Sequence, residues 1–366
     1  MYTQQSQPRK FLFLFFGLGL LFSFLIPGIA QSADSLVVYS GRAERLIKPV
    51  LDRFEEQTGI QVQLLTSKTT ELVNRLKAEG KNTSADVFVT NDATGLERAR
   101  QLGLLQPLLS LDDIQANSSA NSSETPSPIH LKNTLAHIPT PYRATDNSWL
   151  GLSARFYIVV YNTTMVKPEE IQSILDLANP RWKGKIAIPN AGSEYLQSGV
   201  AVIQATHGKD STRKFLKGLK ENAENQVYGK SSQIVNAVAR GDVAMGLVNH
   251  YYVYRQLDKN PQSPIAMLIP DQQEGGMGAI LNVAGVAITK ATKQLQDAQQ
   301  LVAFLASSKG QELFADLNKE YPVSTEANTN DVLPKRASFR AATVPLGQLG
   351  DLHEPAITLI EEVGLR

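Results

Sequence analysis

The sequence predicts an α/β protein of two lobes, each a sheet flanked by helices, with a hinge that the chain crosses more than once. Three observations lead there. Short apolar runs alternate with amphipathic helical stretches from Ser35 onward, a polar segment interrupts them, and a second alternating series begins near Trp149. No repeat of fixed period relates the two series. Strand alternating with helix implies a parallel sheet covered on both faces and wound right-handedly.

In the first series, "SLVVYS" is a short strand that leads into "GRAERLIKPVLDRFEEQTG". There Leu46, Val50, Leu51 and Phe54 recur at helical spacing and Gly59 is a natural stop. Pro49 lacks the backbone N–H a helix interior uses, which places the start of regular helix near it. "IQVQL" alternates as a strand, and "TTELVNRLKAEG" is a helix with a threonine cap and Gly80 as exit. "ADVFV" is a buried strand, and "NDATGLERARQLG" is a helix capped by Asn91 or Asp92 that ends at Gly103. Residues 112–130, "DDIQANSSANSSETPSPIH", hold too few apolar side chains to offset the entropy of ordering and form an exposed loop insertion.

The second series opens with "WLGLSARFYIVVYN". It continues with the strand "KGKIAIPN", two helices "SEYLQSGVAVIQATHG" and "STRKFLKGLKEN", the amphipathic "SQIVNAVARG", and the strand "DVAMGLVN" that runs into "HYYVYRQL". A glycine-bearing strand, "GAILNVAGVAI", and the helices "TKQLQDAQQLVAFLASSKG" and "GQELFADLNKEYPV" complete it. The lobe boundaries expected from this order are 36–150 with 280–331, and 151–279 with 332–366.

Residues 1–30 stand apart. Arg9 and Lys10 precede a nearly unbroken apolar stretch from Phe11 to Ile26, then Pro27 and small residues. This is the pattern of a cleaved export signal, cut after Ala30 or Ser32. The apolar stretch is close to the roughly 17 residues a membrane span needs, but the basic start and small-residue exit favour the signal. There are no cysteines, which excludes lipid attachment at cysteine, disulfides, thiolate metal sites and thiol nucleophiles. Of 36 lysines and arginines, two lie in the signal and no acid does, so the mature chain balances 34 bases against 35 acids. That balance leaves no footprint for nucleic acid or an anionic membrane. "GLSAR" lacks the spacing of a nucleophile elbow, and neither phosphate-cradling glycine motif is present. The histidines at 130, 137, 207, 250 and 353 lack the short spacing of a zinc site. No arrangement of nucleophile and base emerges, so no enzymatic activity is expected.

In open α/β sheets ligands bind beyond the carboxyl ends of the strands. The sequence places Arg42 and Glu44 there after the first strand, Asn91 and Asp92 after "ADVFV", Glu194 and Tyr195 after "KIAIP", and His250, Tyr251 and Tyr252 after "VAMGLV". Tyr251 and Tyr252 lie at a turn where helical geometry does not yet hold, so both rings can face one way. Neutral phenols suit the stacking of a sugar or a cation. Phenolates suit a trivalent cation, the kind of charge that lowers a phenol pKa from about 10 to neutrality. With Fe(III), the three tyrosines would balance the metal charge, Glu44 would close the shell from the facing lobe, and Arg42 would hold an accompanying anion. Plainer roles compete: a capping aromatic for Tyr195, hinge packing for the tyrosine pair, a cap or supporting contact for His250, and a local ion pair for Arg42 and Glu44.

The ordered set "VVYSGRAERLIKPVLDRFEEQTGIQV", "ADVFVTNDATGLERARQLGLLQPL", "GLSARFYIVVYN", "DLANPRWKGKIAIPN", "VAMGLVNHYYVYR" and "KEYPV" resembles the periplasmic ferric-iron-binding proteins of ABC importers. The resemblance spans roughly residues 36–330. It implies the type 2 solute-binding fold, export to the periplasm, a monomer, and Fe(III) as cargo held by Tyr195, Tyr251 and Tyr252. It also implies delivery to an ABC permease in the inner membrane and a possible synergistic anion such as carbonate. The first-lobe ligands depart from the family pattern: Ala43 and Glu44 stand where many relatives carry His or His-Tyr, and Asn91 where others carry an acid. Glu44, an anion held by Arg42, or water would complete the shell. Two alternatives remain at this point. One is the same fold carrying a polyamine, thiamine or phosphonate, with the rings stacking and Asp92 or Arg42 anchoring its charge. The other is a non-transport protein that protects a membrane complex under iron limitation, with the Asn/Ser loop as its docking surface.

Overall fold

The computed structural model describes residues 1–2, 35–109 and 128–365. The expected export signal beyond residue 2, and residues 110–127 of the polar segment, lie outside the described residues. Asp34–Arg366 form one compact unit. Its first stretch runs β1 (Leu36–Ser40), α1 (Glu44–Thr58), β2 (Val62–Thr66), α2 (Thr69–Glu79), β3 (Val87–Thr90), α3 (Ala93–Gln101), β4 (Leu105–Gln106) and α4 (Pro128–Ala136). The middle comprises β5 (Trp149–Asn162), β6 (Ile186–Pro189), α5 (Glu194–Ala223), β7 (Val227–Tyr228), α6 (Ser231–Arg240), β8 (Met245–Asn249), α7 (Tyr251–Lys259) and β9 (Ile265–Leu268). The chain closes with β10 (Leu281–Thr289), α8 (Leu295–Ala306), α9 (Ser308–Asn318), β11 (Tyr321–Pro322) and α10 (Leu349–Glu362).

The main strand order is β2-β1-β3-β10-β5-β8-β6-β7. β1 is parallel to β2 and β3, and β6 is parallel to β7 and β8, as alternating strand and helix dictates. The parallel arrangement expected of the first series is present, and at its centre the sheet is mixed: β10 runs antiparallel to β3 and β5, and β5 antiparallel to β8. β10 and β5 lie between the two parallel groups of strands and join them into one sheet. β5 changes partners midway: Trp149–Phe156 pairs with β10, and Tyr157–Asn162 pairs with β8 and β9. All 14 of its residues are buried, including Arg155 and Ser153, whose hydroxyl donates to Glu320 in the interior.

Local signals explain most elements. The α1 stripe of Ile47, Val50, Leu51 and Phe54 shares a core with Leu301, Val302 and Leu305 of α8. That burial carries the helix through Pro49, so α1 begins at Glu44 rather than near the proline. Asp92 caps α3 by accepting the Gly95 N–H at 3.0 Å. α2 starts at Thr69 itself, and the residue before it, Lys68, makes no side-chain cap, contrary to the expected threonine cap. The two helices expected from "SEYLQSGVAVIQATHG" and "STRKFLKGLKEN" meet at Gly208, whose φ of 79° breaks α5. Residues 128–130, counted within the expected loop, are helical in α4, with proline at its first position.

α10 spans the back of both halves. Gln101 of α3 donates to Asp351 at 2.8 Å, and on the other side Arg213 of α5 donates to Glu362 at 3.0 Å. β8, which leads to the tyrosine pair, lies close under α6 at Gly246. A Cβ there would stand 2.3 Å from Ile234 Cγ2 and 3.2 Å from the Ala187 carbonyl oxygen. Gly246→Ala is expected to cost about 1–3 kcal/mol through this overpacking. An unchanged urea midpoint would show that α6 does not rest on β8 as described.

Candidate functional site

A cleft of about 720 Å³ lies where β1, β3, β6 and β8 end. Its walls are the segments that follow those strands, including Arg42, Asn91, Asp92, Glu194, Tyr195, Asn249, Tyr251 and Tyr252. Chain direction explains the convergence, because parallel strands bring their carboxyl ends and the following helix starts to one edge.

Tyr195 stands in the first turn of α5. Its hydroxyl oxygen accepts a hydrogen bond from Ser231 Oγ at 2.9 Å, and its ring meets Tyr157 edge-on with centroids 5.3 Å apart. Tyr251 and Tyr252 are the first two residues of α7, so they are helical and not in a turn ahead of it. They still face one cleft, with ring centroids 4.4 Å apart, because the first turn of a helix has no preceding turn to pack upon. Arg255, one turn further, lies over both rings at 5.0 and 5.9 Å. Burial pushes the Tyr195 and Tyr251 phenols above their ordinary range, and neighbouring Tyr252 adds to this for each. Both are therefore neutral in the cargo-free protein.

His250 is not on the cleft wall. Its Nδ1 accepts the Phe156 N–H at 3.1 Å and its Nε2 meets the Lys319 carbonyl oxygen at 2.7 Å, which fixes the neutral tautomer with hydrogen on Nε2. Burial pushes its pKa down to about 4. His250 thus ties the turn before Tyr251 to the centre of β5 and to the end of α9, and its ring meets Tyr251 edge-on at 6.0 Å.

Arg42 is fully buried, and its partner is not Glu44 but Glu320, 278 residues away, at 2.8 and 3.0 Å. Its guanidinium also lies 4.9 Å over the Phe314 ring. Burial opposes ionisation of Glu320, but Arg42 and then Arg155 hold its carboxyl below the usual range, and Ser153 donates a further hydrogen bond. Among the described residues, Arg42 Nε and Nη1, Arg155 Nε and Nη2, and Asn249 Oδ1 are buried without a protein partner. All three residues line the cleft.

Glu44 is exposed and does not line the cleft, so it is corrected as a candidate ligand. It opens α1 on the outward face near Lys48, while Ala43 and Arg45 occupy the wall. A helix turns about 100° per residue, so a shift of one position decides which side chain faces the site. Asp92 does line the wall, with its carboxylate engaged as the α3 cap. One acid, Glu320, escaped sequence reasoning and gave only the short "KEYPV" match; Glu194 was placed at the strand end beside Tyr195 but given no role. Glu194 accepts the Thr69 N–H at 2.6 Å, and burial, then Asp92, push its carboxyl up to about 7. Among the described residues, no cluster of three His, Asp or Glu side chains is placed to hold a metal ion.

Residues 50–341 match the model of the bacterial extracellular solute-binding proteins. The chain belongs to that family. Its members are binding proteins and not enzymes. Iron uptake protein A1 of Synechocystis is 30% identical over 92% of this chain and 88% of its own. The Fe(3+)-binding periplasmic protein of Serratia marcescens is 29% identical over 92% of each. Among solved structures, a Trichodesmium protein in complex with iron and citrate superposes with a TM-score of 0.74, at 31% identity over 91% of this chain and all of its own. Iron-bound HitA of Pseudomonas aeruginosa gives 0.78 at 26% identity, over 90% and 99%. The fold is thus that of the type 2 periplasmic binding proteins. This solute-binding protein keeps its buried charges at the cleft floor. Glu320→Gln would leave two buried guanidinium groups without a counter-ion, a loss of about 3–5 kcal/mol near neutral pH. Because the folded Glu320 pKa is depressed, its contribution is present above the unfolded value of about 4.3 and fades as pH falls through the folded value. Denaturant midpoints of wild type and variant should therefore draw together as pH falls from about 4.3 through the folded value. A gap that stays constant throughout that fall would contradict the assignment.

Proposed function

We propose that this chain is an exported carrier that binds Fe(III) in the cleft through the phenolates of Tyr195, Tyr251 and Tyr252 and hands it to an ABC permease in the inner membrane. The observation that carries this reading is the common wall: three phenols from two helix starts, α5 and α7, face one cleft. Hard anionic oxygens suit a hard trivalent cation, and three phenolates offset its charge. The names of the Serratia relative and of the iron-bound structures support the cargo.

Since Glu44 faces outward, the remaining coordination falls to an external anion such as carbonate. The unpartnered N–H groups of Arg42 and Arg155 suit such an anion, and they give it a buried cationic seat. Residues 36–150 with 280–331 would move against 151–279 with 332–366, and the cargo would be bound between them. His250 and Asp92 support the site without touching the metal. Protons compete for phenolate ligands, so protonation or reduction of the iron releases it. Residues 1–30 serve as the cleaved signal, and the carrier works as a monomer in the periplasm.

Titration of the purified mature protein with Fe(III) should develop a visible tyrosinate-to-iron charge-transfer band, raise the melting temperature and release one proton for each ligating phenol. Tyr195→Phe and Tyr251→Phe should each weaken the band and remove one released proton, whereas a stacked organic cargo would tolerate both changes. Colourless protein with an unchanged melting temperature would sink the proposal.

A further inference from the structure

α2 has no cap from its own neighbourhood, since Lys68 makes no side-chain bond to the helix start. The first N–H groups of a helix carry partial positive charge and need an acceptor. Here the acceptor comes from across the cleft: Glu194 Oε1 takes the Thr69 N–H at 2.6 Å, from 125 residues away. Thr70 and the Asn91 side chain also favour the charged form of this carboxylate, while the Asn91 amide itself donates to the Gly41 carbonyl oxygen. Thr69 itself is held tightly. A Cβ on Gly41 would stand 2.1 Å from its Oγ1, and a Cβ on Gly95 would stand 2.1 Å from its Cγ2. The start of α2 is thus a rigid seat. Glu194 opens α5, one residue before Tyr195, so its carboxylate joins helix starts from opposite walls.

We propose that Glu194 is the latch of the closed cleft, a positioning residue that bridges to the start of α2 and so sets how slowly cargo leaves, without ligating it. The part about cargo rests on the Fe(III) reading above, whereas the latch is a property of the cargo-free chain. Its carboxylate is already committed to the Thr69 N–H, a bond that metal ligation would have to break. A charge-assisted bond of this kind is stronger than one to a neutral acceptor. Because Tyr195 is the adjacent residue, cargo that fixes Tyr195 also fixes the backbone of Glu194, and closure strengthens cargo retention in return.

The chain has no cysteine, so Lys77→Cys and Lys217→Cys introduce one spin-label site on each side of the cleft, both at exposed positions. Distances between the labels would be measured in the mature chain, in its Glu194→Ala, Glu194→Gln and Asn91→Ala forms, without metal and with Fe(III). Release of iron to excess EDTA would be timed in parallel. Glu194→Ala should lengthen the distance in metal-free protein and speed release about ten- to a hundredfold, the range for a lost charge-assisted bond, at an unchanged band position. The Gln and Asn91 forms should move the same way by less, which keeps the test decisive if Glu194→Ala folds poorly. Unaltered distances in all three variants would overturn the latch. So would a shifted or lost band at unaltered distances, because that would make Glu194 a ligand. If the wild type takes up no iron, the Fe(III) reading fails while the metal-free distances still decide the latch.

Discussion

The carboxylate of Glu320, buried between Arg42 and Arg155, is the interaction on which the rest of the molecule depends. Its members come from three places in the chain: the residues after β1, the middle of β5, and the residue before β11. Removing either member of the directly bonded Arg42–Glu320 pair breaks a buried ion pair. The same node sets the site. Arg42 spends Nη2 on Glu320, which leaves its other donors at the cleft floor. His250 bonds to the carbonyl of Lys319, next to Glu320, and so fastens the start of α7 to this node. The tyrosine pair is held by β5 and the end of α9 through His250, and not by its own helix alone.

The charge of the walls explains why phenols suit this cleft. Arg42, Arg45, Lys68, Arg155, Lys230, Arg255 and Lys259 line it, opposed by Asp92 and Glu194. A basic cleft with neutral phenols is a poor host for a bare trivalent cation, since like charges repel across it. It becomes a good host when the phenols lose their protons to the metal and an anion accompanies it. On the proposed function, selectivity then comes from charge: a cation too weak to deprotonate buried phenols gains no ligands and meets only the basic walls.

Local chemistry made much of the fold legible. Asp92 was readable as a cap and Gly208 as a helix break, because each acts through neighbours within a few residues. The rule that ligands gather beyond strand ends places Tyr195, Tyr251 and Tyr252 at one edge from the sequence alone. The errors arose where distant contacts decide. Pro49 was outweighed by the buried stripe around it. Glu44 was displaced from the wall by a single step of helix rotation.

The sequence by itself determined the alternation of strand and helix, the absence of thiol chemistry and the presence of phenols at strand-to-helix junctions. These follow from periodicity, composition and spacing, which are properties of short windows. Only the tertiary structure decided that Arg42 answers to Glu320, that α2 is capped by Glu194, and that His250 turns inward. Such pairings depend on strand order and helix rotation, which bring together residues from 94 to 278 positions apart and leave no trace in any short window.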